Sequence, residues 1–149
     1  MRKKVLAMAA AALLALAACA EVPHPGREPP VAADKARLYV YREIDYTSSP
    51  IWTTVSLNSE PLGASAPGTV FYRDVAPGTY QIEVLSAKLY PNQFKTVRLA
   101  PGSTTFVKVQ ELYNWGQSPW QWQAETFVVN IMNPAVGAQQ MAGLRLTSG

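Results

Sequence analysis

Few residues in this 149-residue chain could do chemistry, and their types narrow which chemistry that is. The only histidine, His24, lies between two prolines, so no imidazole is available further along to activate a nucleophile or move a proton. No Gly-x-Ser-x-Gly elbow and no glycine-rich phosphate loop occurs. With one cysteine and one histidine, any metal site would have to be built from carboxylates. Glu43 and Asp45 are two apart and could share a strand face, as an acid pair or a calcium site would, but two solvated charges in a polar loop are the favoured reading. Asp74, beside Arg73 and ahead of a turn, reads as a turn-side hydrogen-bonding group. The one unusual concentration is aromatic. Tyr113 to Gln123 holds Trp115, Trp120 and Trp122, three of the four tryptophans, interleaved with Asn and Gln. Indole faces flanked by amides suit sugar rings, but the closing of one end of the sandwich core is the favoured use of them. A place at a membrane interface is a third use. The expectation is therefore a non-catalytic protein without cofactor or metal, with Trp115, Trp120 and Trp122 as a candidate ligand platform.

The lone cysteine, Cys19, gives the second chemical signal. Arg2, Lys3 and Lys4 are followed by an uncharged apolar run from Val5 to Ala18. That run is too short for a membrane span, which needs about 20 residues, and it has the form of an export signal. It ends Leu16-Ala17-Ala18-Cys19, which resembles the lipobox of bacterial lipoproteins, where the cysteine is acylated and the chain is cut just before it. Ala18-Cys19-Ala20 also fits small-x-small cleavage, which would start a soluble chain at Glu21. The single cysteine at the one position the lipobox requires, with Leu three places before it, favours acylation. Ala20 stands after the cysteine where Asp would resemble an inner-membrane retention signal, so the resemblance implies the outer membrane, with the domain facing the periplasm or the cell surface.

Processing changes the charge balance. The net charge of +3 includes Arg2, Lys3 and Lys4; without them ten basic residues face ten acidic ones. A neutral chain lacks the basic stripe that nucleic-acid binding requires. With its one cysteine acylated the chain has no disulfide, so its fold rests on burial.

The organisation follows as a signal peptide (1–18), a lipidated Pro-rich tether (19–34) and one β-sandwich domain (35–149). The tether holds four of the twelve prolines. It reads as extended and poorly packed, reaching on the order of 40 Å from a membrane at about 3.1 Å per residue. In the domain, Ala-Pro-Gly-Thr at 66–69 and 76–79 and Ala-Pro-Gly-Ser at 100–103 each precede a β-branched or aromatic run. Pro sets φ for the first central position of a turn and Gly supplies a positive φ at the next, so Gly78 is expected in the left-handed region. Tyr80, Ile82 and Val84 alternate with Gln81 and Glu83, the pattern of a half-buried strand. Ala36–Arg42 has both faces occupied, which suits the interior of a sheet, and Pro61 suggests an edge. Asn58-Ser59 is a weak hairpin signal, because Ser tolerates positive φ poorly. Asn133-Pro134 predicts a helix over Pro134–Ala142 with Gly143 as its stop. Seven or eight short strands and one C-terminal helix predict an antiparallel β-sandwich.

Val55, Leu57, Asn58, Leu62 and Gly63, followed by Phe71, Val75, Pro77, Gly78, Tyr80, Ile82 and Val84, resemble the PEGA-type domain and also a domain-of-unknown-function family of small bacterial envelope lipoproteins. Arg37, Tyr39 to Arg42 and the strand Phe106–Val109 favour the second. The resemblance implies a sandwich fold and transfers no catalytic residue. The expected function is a structural or protein-interaction module of the envelope, held in the membrane by lipid at Cys19. The alternative is a glycan- or peptidoglycan-binding module using residues 113–123.

Overall fold

The computed structural model describes residues 25–44, 50–86, 93–112 and 126–149. Nine strands and a helix are found there: β1 (Ala36–Arg42), β2 (Thr53–Leu57), β3 (Glu60–Ser65), β4 (Thr69–Val75), β5 (Gly78–Val84), β6 (Phe94–Leu99), β7 (Thr104–Leu112), β8 (Thr126–Met132), α1 (Pro134–Met141) and β9 (Arg145–Leu146). A five-stranded sheet runs β8-β7-β1-β4-β9 and a four-stranded sheet runs β3-β2-β5-β6. The sandwich is the expected one, with the two-residue β9 as a ninth strand. Pairing is antiparallel except at β1/β7 and β4/β9, which are parallel.

The Pro-Gly turns have a shared job. Residues 66–68 carry the chain from β3 to β4, 76–77 from β4 to β5, and 100–103 from β6 to β7, and each step changes sheet. They are the corners of the sandwich. Gly68 and Gly102 have the expected positive φ, at 71° and 70°. Gly78 does not; it is already the first residue of β5, because the corner there needs only Ala76 and Pro77. The hairpin between β2 and β3 has positive φ at both Asn58 (51°) and Ser59 (67°), the signature of a type I′ turn despite the absent glycine. Asn58 is further fixed from outside, since its Oδ1 accepts from the Gln81 N–H at 2.8 Å and its own N–H donates to the Gln81 carbonyl at 2.8 Å.

The interior position of β1 explains its composition. All seven of its residues are buried. Ala36, Leu38 and Val40 meet Val55, Phe71, Ile82, Leu99, Val107 and Val129 in the core between the sheets. Tyr39 and Tyr41 face the other way, into a second cluster with Val70, Phe106 and Met141 under α1. The five-stranded sheet is thus covered on both faces. Full burial of each large apolar side chain stabilises the fold by about 1.5–3 kcal/mol. Pro61 lies in β3, an edge strand as expected.

The helix starts where the sequence places it, with Asn133 Oδ1 accepting from the Ala135 N–H at 3.0 Å and Pro134 in the first turn. It ends at Met141. Ala142 keeps right-handed helical angles and Gly143 has no positive φ, so the stop is a tightened turn from the Leu144 N–H to the Met141 carbonyl (2.9 Å), without a glycine cap. A second difference lies ahead of β1. Glu28 and Pro29, within the stretch expected to be poorly packed, are hydrogen-bonded onto the outer face of the five-stranded sheet.

Candidate functional site

Arg42 ends β1 on its inter-sheet face, and a strand buried on both sides cannot leave a guanidinium there without partners. Its side chain is 2% exposed. One terminal nitrogen donates to the Ile51 carbonyl at 2.7 Å and the other to Glu111 Oε2 at 2.5 Å. The Phe127 ring lies 4.8 Å from the guanidinium carbon. Parallel pairing of β1 with β7 brings Arg42 and Glu111 to the same end of the sheet, and Lys108 of β7 pairs with Glu43 beside them. These residues, with Ile44 and Gln110, line an open cleft of about 300 Å³.

The same end of the sandwich collects exposed apolar side chains. Ile44 follows β1, Ile51 and Trp52 precede β2, Leu85 follows β5, Phe94 opens β6 and Leu112 closes β7; all six are exposed, Trp52 at 70%. The two sheets meet there through the Arg42–Ile51 bond and through Ser86 Oγ, which accepts from the Phe127 N–H at 2.8 Å. The described strand ends that flank 45–49, 87–92 and 113–125 belong to this end too. The charges at the cleft neutralise one another in pairs, Arg42 with Glu111 and Lys108 with Glu43.

The residues singled out from sequence fall mostly elsewhere. Cys19, His24, Asp45, Trp115, Trp120 and Trp122 lie outside the described residues. Glu43 pairs with Lys108 of β7 and keeps 36% of its side chain exposed. Asp74 is not a turn ligand: its two oxygens accept from Arg37 Nε and a terminal nitrogen, each at 2.7 Å, across the β1/β4 pair. That bidentate guanidinium holds its carboxyl below the usual carboxylate range. Among the described residues no group of three or more His, Cys, Asp or Glu could hold a metal ion, and no helix is long and apolar enough to cross a membrane. The Arg42–Glu111 pair was not foreseen. Its only sequence signal is an arginine closing a strand with two apolar faces, and the partner 69 residues away follows only from topology.

No curated protein and no solved structure matches the chain. A family model described as a protein of unknown function, DUF2846, matches residues 32–120, which include β1 to β7. That match covers more than half of the sequence, and the chain belongs to the DUF2846 family.

Proposed function

We propose that this protein is a non-catalytic lipoprotein of the bacterial outer membrane, anchored at Cys19, whose sandwich is a protein-interaction module of the cell envelope. The observation that carries the interaction reading is the single end where Ile44, Ile51, Trp52, Leu85, Phe94 and Leu112 surround the paired charges of Arg42, Glu111, Lys108 and Glu43. Apolar groups gathered at one end of a domain favour a partner surface, and fixed charges among them favour a specific one. The lipobox-like Leu16-Ala17-Ala18-Cys19 and the PEGA-like pattern of core residues support the envelope setting.

Two measurements test this reading. Cys19→Ser should release the domain from the membrane fraction or leave an unprocessed precursor, because stable anchoring needs more than one acyl chain and all are lost together. Recovery of wild-type protein with a free N-terminus at Glu21 would refute the anchor. Phe94→Glu and Trp52→Glu, at exposed positions, should change stability by about 0.5 kcal/mol or less while abolishing capture of a crosslinked envelope protein. If both variants instead retain the protein partner, this end is not the docking surface; if the wild type co-sediments with cell-wall sacculi and captures no protein, the glycan-binding reading replaces this one.

A further inference from the structure

The outer face of the five-stranded sheet holds a short piece of the chain that precedes the sandwich. Tyr39 is stacked on Phe106 (centroids 5.5 Å apart) and tilted against Tyr72 (5.9 Å). Its hydroxyl donates to Glu28 Oε2 at 2.6 Å, and the Gly26 N–H donates to the same oxygen at 2.7 Å. Two residues away on β1, Arg37 is clamped by Asp74 and lies 4.4 Å from the centre of the Tyr72 ring. Its remaining terminal nitrogen donates to the Pro29 carbonyl at 2.8 Å. Pro29 and Pro30 carry no backbone N–H, so the docked stretch brings two fewer donors that need partners.

We propose that Gly26–Pro30 is a built-in ligand of this aromatic face, a releasable latch that shortens the tether and holds the domain close to its anchor. The contact is specific: a carboxylate meets a phenol, and a carbonyl meets a guanidinium already fixed by a second acid. Burial, with the Glu28 carboxylate next, pushes the Tyr39 phenol up to about 12, so the hydroxyl remains a donor across all ordinary pH. The contact is also incomplete. Glu28 Oε1 is buried with no hydrogen-bond partner among the described residues, a cost of the same order as the gain from the Tyr39 bond. Gain and cost in near balance make a latch that can open. The consequence for reach rests on the anchor proposed at Cys19. At about 3.1 Å per residue, the nine residues to Glu28 span roughly 28 Å, and release as far as Lys35 adds about 20 Å.

Limited tryptic cleavage after Arg27 in the full-length protein reads the latch directly. Tyr39→Phe keeps the ring and removes only the hydroxyl, leaving the cleavage site unaltered. It should be cut about tenfold faster than wild type, as expected when local opening loses a charge-assisted hydrogen bond. Gln140→Ala removes only the acceptor of Tyr41 on the same face and should be cut at the wild-type rate. As a second readout, nitroxides at Arg27→Cys and Thr79→Cys should give a narrow distance distribution that broadens and lengthens in Glu28→Ala. A wild-type cleavage rate in Tyr39→Phe, or an unchanged distribution in Glu28→Ala, overturns the latch. The mass of the N-terminal peptide reports acylation separately, so a latched but unacylated chain refutes the anchor alone.

Discussion

At the scale of single residues, the fold rests on backbone angles that the sequence announces unevenly. Gly68 and Gly102 take the left-handed conformation that Pro-Gly announces, and at Gly68 an added Cβ would also come within 2.7 Å of the Ile44 side chain. Gly78 shares the tetrapeptide and not the angle, because there the strand begins one residue earlier than the motif suggests. Ser59 is the reverse case, a left-handed residue with a Cβ and no glycine to mark it. Such a conformation costs an L-residue about 1–2 kcal/mol, partly offset in any replacement by the greater chain entropy of glycine. Ser59→Gly should therefore stabilise the protein by about 0.5–1 kcal/mol, seen as a rise of a few degrees in Tm. What holds Ser59 in place is the pair of bonds between Asn58 and Gln81, and no local pattern in the sequence reveals a contact from β5.

Elements were more legible than their partners. Alternation marks β5, the double-faced run marks β1 as interior, and Asn133-Pro134 marks the start of α1. The parallel β1/β7 pair was not legible, since period-two alternation is blind to strand direction, and with it the Arg42–Glu111 end of the candidate site stayed hidden. Nor does the helix pattern explain Gly137, which intrinsic propensity would disfavour in mid-helix. The reason is close approach: a Cβ on Gly137 would lie 2.5 Å from Cβ of Phe106 on β7. Gly→Ala normally gains a helix about 1 kcal/mol. Here the clash is with an atom next to the backbone and cannot be relieved by turning a side chain. Gly137→Ala should destabilise by about 1–3 kcal/mol net, measured by denaturant unfolding. A neutral or stabilising result would mean that α1 can lift off the sheet.

For the whole molecule, titration should bound stability on both sides. Asp74 has its pKa lowered by Arg37, so its pair contributes above the ordinary carboxylate value near 3.9 and is lost as pH falls through the lowered folded value. Tyr39 and Tyr41 are pushed up to about 12, chiefly by burial. Their contribution is complete below about 10 and disappears as pH rises through 12. Stability should be flat between those limits as far as these three groups are concerned. Asp74→Asn should lower the plateau and flatten the acid limb, and Tyr41→Phe should flatten the alkaline limb, in thermal melts taken across the range. An acid limb identical in wild type and Asp74→Asn would show that the Arg37 pair contributes nothing to folding.

The central place of β1 also sets an order of events in time. In the four-stranded sheet β2 pairs β3 across the turn at Asn58 and Ser59, β5 pairs β6 across residues 85–93, and β2 reaches β5 with Leu57 opposite Ile82, separations whose closure costs less entropy than a longer loop would. The five-stranded sheet cannot close this way, because Arg37 must wait for Thr104 and β7 must then find β8. A chain emerging from its N-terminus therefore carries β1, apolar on both faces, as an unpaired strand until β4 and then β7 arrive. That late parallel pairing is expected to limit folding, so substitutions in β7 should slow refolding more than equally destabilising ones in β2 or β3.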